Sequence, residues 1–272
     1  MARLRAPGGC PWDREQTHQS LRRYLLEETY EVLEAIDRRD PESLREELGD
    51  LLLQVVFHAQ IAREHGQFDM NQVIAGICEK LRRRHPHVFG TVQVNSAEDV
   101  VHNWEEIKKS EHPDGRRTGA LSGVPAALPA LLRAQKLQEK AAQVGFDWQN
   151  VGGVLAKVRE ELAEVEQALG PAGLDGRRPP QDAAARAAIQ AEAGDLLFAA
   201  VNLARFLDID AESALREAAG RFEHRFSFME KEAQRQDKSL SSLSPEEWDR
   251  LWEEAKAEEQ AARSGRRFAS AD

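Results

Sequence analysis

The sequence predicts an all-α protein made of two tandem, related helical bundles whose cores are completed by dimerisation. Three observations carry that expectation. Apolar residues recur at three- and four-residue intervals along most of the chain. Alternating β-branched segments are nearly absent, TVQV at 91–94 being the sole candidate. One acidic pattern also occurs twice. Residues 26–35 read LEETYEVLEA, followed by EELGDLLLQVVF at 46–57; residues 160–169 read EELAEVEQAL, followed by AEAGDLLFAAVN at 191–202. Both copies follow the form Glu-Glu-x-x-Glu, a spacer, then Glu-x-x-Asp inside an apolar run. A duplicated helical hairpin needs a partner to close a four-helix core.

In chain order, the first predicted helix, 16–37, carries the first acidic motif. The second, 42–65, starts at Asp40-Pro41-Glu42 and stops at Gly66; the third, 70–84, starts after Asp69 and stops at His85-Pro86. Ser96 opens a fourth over 97–110. The segment EHPDGRRTGALSGVPAAL at 111–128 is rich in Gly, Pro and polar residues and reads as a linker. Helices over 126–143 and 150–169 follow, the latter carrying the second acidic motif and ending at Gly170-Pro171. The next is 182–207; the insert GPAGLDGRRPPQDAAARAA between the acidic pairs reads as a mobile loop or as an extension of the start of this helix. The last two are 210–235 and 245–262, the latter opened by Ser244-Pro245-Glu246-Glu247. The expected division is an N-terminal domain over 1–112, a linker over 113–127 and a C-terminal domain over 128–272.

Composition excludes several classes. The chain has 272 residues, 41% hydrophobic and 31% charged, as for a protein with real cores, and its formal net charge is −10. No bulk basic surface exists to attract nucleic acid, and Arg82-Arg83-Arg84 reads as a helix C-terminus whose cations complement the dipole. The two cysteines, Cys10 and Cys78, form no CxxC pair, which fits a reduced compartment. The N-terminus lacks the apolar core of a signal peptide, and no uncharged apolar stretch is long enough to span a bilayer. The expectation is a cytoplasmic protein with no membrane partner and no stable nucleic-acid complex.

Helical spacing turns the acidic motifs into chemistry. Residues three or four apart share a helix face, so Glu28 projects with Glu31 and Glu47 with Asp50; in the second copy Glu161 projects with Glu164 and Glu192 with Asp195. Facing helices would bring four carboxylates to one point, where they repel unless a cation lies among them. The apolar context adds weight. Asp50 is the only formal charge between Leu48 and Ala62, and Asp195 the only one between Ala193 and Ala204, each in a helix expected to be buried nearly all round. Such an acid is costly without a partner. The pattern therefore points to a divalent-metal site. Gln54 and His58 continue the face of Asp50, whereas Ala199 and Asn202 follow Asp195.

These motifs resemble the MazG family of nucleoside triphosphate pyrophosphohydrolases. GGCPWDREQTHQSLRRYLLEETYEVLEAI and LREELGDLLLQVVFHAQIA are similar to the family's N-terminal domain. LPALLRAQKLQEKAAQVGFDW, VREELAEVEQAL and AEAGDLLFAAVNLARFL are similar to its C-terminal domain. The resemblance implies two MazG-like helical domains that dimerise and hydrolysis of NTPs or dNTPs between the α and β phosphates to a monophosphate and pyrophosphate. It implies Mg²⁺, or Mn²⁺ in its place, held by Glu161, Glu164, Glu192 and Asp195, with Glu160 a candidate to orient or deprotonate water. Lys157, Arg221, Arg225 and Trp252 match positions that bind nucleotide. Each also has a plainer reading: Lys157 as the i,i+4 partner of Glu161, the arginines as surface pairs, Trp252 as a core anchor. Where some relatives carry a basic residue before the second acidic pair, this chain has Ala188, so that a phosphate contact is either missing or supplied elsewhere, for example by Lys108. The C-terminal site is expected to be the main one, with Glu27, Glu28, Glu31, Glu47 and Asp50 as a second.

Other readings fit less well. A di-iron protein needs two Glu-x-x-His motifs, and a Nudix hydrolase needs strands and more of its motif than Arg45-Glu46-Glu47-Leu48-Gly49. A non-catalytic helical scaffold would explain the charge content but not Asp50 and Asp195 in matched apolar runs.

Overall fold

The computed structural model describes residues 1–94, 96, 99, 100, 103, 104, 107, 119–174, 180 and 182–269. It divides into two compact units, Met1–Asp114 and Gly115–Asp272. The described residues are helices and connections, with no strand; TVQV at 91–94 is irregular. The helix expected over 97–110 falls largely outside the described residues, as do 113–118 of the expected linker and Lys108.

In the first unit, two short helices, α1 (Ala2–Arg5) and α2 (Pro11–Glu15), precede α3 (Arg22–Arg38) and α4 (Pro41–Glu64). Then come α5 (Met70–Arg84) and α6 (Pro86–Phe89). The first acidic helix is shorter than expected, because residues 16–21 form a turn braced by Thr17 and Ser20 hydroxyls rather than a helix start. Helix α3 ends at Arg39 in the left-handed conformation, φ 55°. One residue later the Asp40 side chain accepts from the N–H groups of Glu42 and Ser43 and starts α4. This tight reversal makes α3 and α4 an antiparallel hairpin. Gly66, at φ 66°, stops α4 where an L side chain would be strained. Asp69 and Gln72 cap α5 reciprocally. Leu21, Phe57 and Ile61 form the buried centre, with Met1 and Tyr24 against it. Arg5 pins the leading segment to α4: its guanidinium donates to Glu64, at 2.7 Å, and to the carbonyls of Asp13 and Gln16.

The second unit contains α7 (Ala130–Gln143), α8 (Val151–Leu174), α9 (Ala183–Phe206), α10 (Ala211–Arg235), a 3-10 turn at Leu240–Ser242 and α11 (Pro245–Ala269). Gly170, at φ 64° and ψ 171°, kinks α8 before Pro171, where the sequence indicates a stop, but residues 171–174, expected to open a loop, form a further helical turn. Helices α8 and α9 form the most extensive pairing, mirroring α3 and α4, and α7 packs on α9. Gln138 of α7 is buried and donates to the Phe198 carbonyl at 2.8 Å. Arg205 forks onto Asp147 and reaches Asn202 at 2.9 Å, tying the end of α9 to the loop before Trp148. Helices α10 and α11 close over Met229, Leu251 and Ala255, joined by Leu240, Leu243, Trp248 and Trp252. Ser244 and Glu247 cap α11 reciprocally.

One expectation is corrected. Helices α4 and α9 are not buried all round: Leu52 is 56% exposed and Leu197 60%, with Leu53, Val55 and Phe198 also exposed. Each is covered by its hairpin partner, α9 also by α7, and each leaves a further face exposed. Asp50 is accordingly half-buried and Asp195 exposed.

Candidate functional site

Each hairpin gathers its acids at one place. In the first unit Glu28 of α3 meets Glu47 and Asp50 of α4, one carboxylate oxygen from each lying within 4.8 Å of the others. All three are half-buried, while Glu27 and Glu31 are exposed. Burial and then the charges of Glu31 and Asp50 push the Glu28 carboxyl above its ordinary range. Glu47 moves the same way, from desolvation and then Glu31, Glu46 and Asp50. Burial and like charges act in the same direction on these carboxyls. Gln54, 6% exposed and one turn after Asp50, donates Nε2–H to Glu28 Oε1 at 3.4 Å. His58 turns away instead, its Nδ1 lying 2.7 Å from His18 Nδ1 in a stacked pair.

In the second unit Glu161 of α8 meets Glu192 and Asp195 of α9 within the same 4.8 Å. Glu161 is buried at 6% exposure, Glu192 half-buried and Asp195 exposed. Glu164 joins through Glu161: the two carboxyl groups share a hydrogen bond that, with burial, raises Glu164. Glu161 is held below the ordinary range, first by its bond to Lys157. The Lys157 ammonium lies 2.7 Å from Glu161 and 2.9 Å from exposed Glu160, and those contacts raise its own pKa. Here the counter-charge is internal. Both groups consist of carboxylates alone, the donor set of hard divalent cations with oxygen shells.

The remaining residues singled out in the sequence lie on the α10–α11 pair. Arg225 donates Nε–H to Glu259 at 2.8 Å and stands 5.4 Å over the Trp252 ring. Arg221 is 3.8 Å from Glu217. Trp252 is half-buried against the Met229–Leu251–Ala255 core and 5.6 Å from the Phe222 ring. Among the described residues the contacts of these three stay within that pair, whereas Lys157 touches the acids. Ala188 lies in α9. Sequence reasoning placed Gln54 on the Asp50 face but missed its bond to Glu28. The one available signal was a polar residue where the second copy has Ala199.

Comparison with known proteins identifies the family. The family model for the MazG nucleotide pyrophosphohydrolase domain matches residues 16–89. The chain is 46% identical over 260 residues to the nucleoside triphosphate pyrophosphohydrolase of Escherichia coli strain K12, covering 95% of both chains. It is 46% identical to the nucleoside triphosphate pyrophosphohydrolase/pyrophosphatase MazG of Thermotoga maritima, over 94% of this chain and 92% of that one. It is also 48% identical to the Bacillus subtilis protein YabN, over 94% of this chain and 50% of YabN. Likeness at that level over nearly the whole length means that the chain belongs to the MazG family.

Proposed function

We propose that the protein is a metal-dependent nucleoside triphosphate pyrophosphohydrolase that splits NTPs or dNTPs between the α and β phosphates, leaving a monophosphate and pyrophosphate. The observation that carries this is the convergence of Glu161, Glu192 and Asp195 on facing helices, in a chain whose full-length relatives bear that activity in their names. The all-carboxylate donor sets fit Mg²⁺, or Mn²⁺ in its place. Glu161, Glu164, Glu192 and Asp195 would hold it. When bound, the ion neutralises the triphosphate tail and stabilises the pyrophosphate leaving group, which is what phosphoryl chemistry most needs.

The protein groups supply the rest. Glu160 is exposed beside the buried ligand Glu161, a position from which it can accept a proton from water. Lys157 is tethered to both glutamates and can exchange them for phosphate oxygens. Arg221 and Arg225 provide forked donors for phosphates, and Trp252 an aromatic face for a base. The carboxylates of Glu27, Glu28, Glu31, Glu47 and Asp50 form the second site. The acting form is a homodimer in which the exposed apolar faces of the hairpins pair, and it works in the cytoplasm. No helix among the described residues is long and apolar enough to cross a membrane.

The test is product analysis with a panel of NTPs and dNTPs, with and without Mg²⁺. Pyrophosphate and nucleoside monophosphate are expected, and orthophosphate is not. Asp195→Asn should lower turnover about a hundredfold or more, since several kcal/mol of charge stabilisation is at stake, while leaving helicity intact. A scaffold without catalysis would release no pyrophosphate. If Asp50→Asn silenced the enzyme and Asp195→Asn did not, the assignment of the main site would be reversed.

A further inference from the structure

Arg221 and Arg225 lie one turn apart on α10, yet the fold holds them differently. Arg221 pairs with Glu217 of its own helix at 3.8 Å, too long for a hydrogen bond. Arg225 is gripped from the neighbouring helix. Its Nε–H donates to Glu259 of α11 at 2.8 Å, and its guanidinium stands 5.4 Å over the Trp252 ring. Trp252 and Glu259 are seven residues apart, two turns of α11, so both come from one face of that helix.

The ion pair is shielded, the Arg225 side chain being 24% exposed and that of Glu259 12%. The next pair along the same helices, His224 with Glu258 at 3.2 Å, is exposed on both sides. An exposed pair does little to fix a side chain. A shielded one with a short bond and a ring against it removes rotamer freedom that an arginine otherwise keeps. The bond also uses the N–H nearest the stem. Among the described residues the Nη1 and Nη2 groups of Arg225 have no hydrogen-bond partner. The forked end can therefore take two phosphate oxygens without giving up Glu259.

We propose that Glu259 is a positioning residue for NTP hydrolysis: it anchors Arg225 through Nε, with Trp252 bracing the guanidinium, so that the Nη pair is set before a phosphate arrives. Glu259 touches no substrate and acts through Arg225. The proposal rests on Arg225 being a phosphate donor, as under the proposed function, and adds the residue that orients it. Fixing a donor in advance removes an ordering cost that would otherwise weaken binding.

The test is a double-mutant cycle on the full-length chain with Mg²⁺. It reads kcat/KM for pyrophosphate release and, separately, the affinity for an NTP analogue with a methylene bridge between the α and β phosphates. Arg225→Met is expected to lower kcat/KM about a hundredfold, the scale for losing one charge-stabilising donor. Glu259→Met should lower it about tenfold or more, the scale for a hydrogen bond to a charged group. Both variants should bind the analogue more weakly. Glu259→Gln, which keeps an acceptor oxygen within reach of Nε, should recover most of the loss. Glu259→Asp keeps the charge but shortens the reach by one methylene, and should lower kcat/KM about threefold or more with the melting temperature nearly unchanged. In the Arg225→Met background Glu259→Met should cost nothing further, because a residue that works only through the arginine then has nothing to orient. Circular dichroism of each variant separates loss of positioning from loss of the fold. Additive losses in the double variant, or full kcat/KM in Glu259→Asp and Glu259→Met beside a damaged Arg225→Met, overturn the proposal and leave Arg225 as a phosphate donor. An Arg225→Met enzyme with full kcat/KM and full analogue affinity overturns the proposal together with the phosphate role it rests on.

Discussion

Glu160 and Glu161 are neighbours in sequence with opposite surroundings, and that difference sets what each can do. Glu161 is 6% exposed and bonded to both Lys157 and Glu164, whereas Glu160 stands in solvent with Lys157 as its partner. Glu161→Gln should therefore abolish metal-dependent turnover and weaken Mn²⁺ binding together. Glu160→Gln should lower kcat while leaving Mn²⁺ affinity within about threefold, because it removes a proton acceptor rather than a ligand. Steady-state kinetics beside a binding titration separates the two; equal losses of metal binding would refute the division of roles. The grouping of Glu47 with Asp50, and of Glu192 with Asp195, was legible in the sequence because helical spacing alone puts such pairs on one face. The bond from Gln54 to Glu28 was not, since it crosses between helices. Nor was the preference of Lys157 for the acids, because one lysine can serve a carboxylate or a phosphate and spacing does not say which.

Helix boundaries follow local chemistry, and here the sequence was most readable. Asp40, Asp69 and Ser244 were each expected to start a helix, and each accepts a backbone N–H in the first turn. Asp69→Ala should cost about 1 kcal/mol in denaturant unfolding. What was not legible is how loops dock, since that depends on long-range ion pairs. Arg5 reaches Glu64, and Arg205 reaches Asp147, across 59 and 58 positions. Both acids lie below their ordinary range, each first through its arginine hydrogen bond. A carboxylate whose folded pKa is depressed adds stability that is complete above its unfolded value, about pH 4. That stability is lost as pH falls through the lower folded value. The melting temperature of the wild type should thus fall steeply below about pH 4, and Arg205→Met should flatten the fall while lowering stability at pH 7. Arg5→Met should cost more than a surface pair, about 2 kcal/mol, because it also strips the carbonyls of Asp13 and Gln16 of their donor. An unchanged acid limb in Arg205→Met would show that the pair contributes nothing.

At the scale of the molecule, the apolar surface argues for association. On the first hairpin Leu26, Tyr30, Leu48, Leu52 and Val55 are exposed; on the second, Leu162, Leu197 and Phe198. Within each hairpin these residues sit on the same helices as the acids, so the open side of α4 and of α9 is apolar around Asp50 and Asp195. Isolated exposed leucines are ordinary, but a row of them along helices expected to be buried marks a missing layer. The proposed dimer would give the apolar runs that suggested burial in the sequence the covering they lack within one chain. A two-helix layer is completed most simply by its own copy across a twofold axis, giving a four-helix core. Sedimentation of the wild type at micromolar concentration should report twice the 30.5 kDa chain mass. Leu52→Glu and Leu197→Glu together should give a monomer that keeps its helical circular dichroism but melts lower, since burying two carboxylates in an apolar layer costs several kcal/mol. A wild type that sediments as a monomer, or a double variant that remains dimeric, would remove the dimer from this account while leaving both acidic clusters in place.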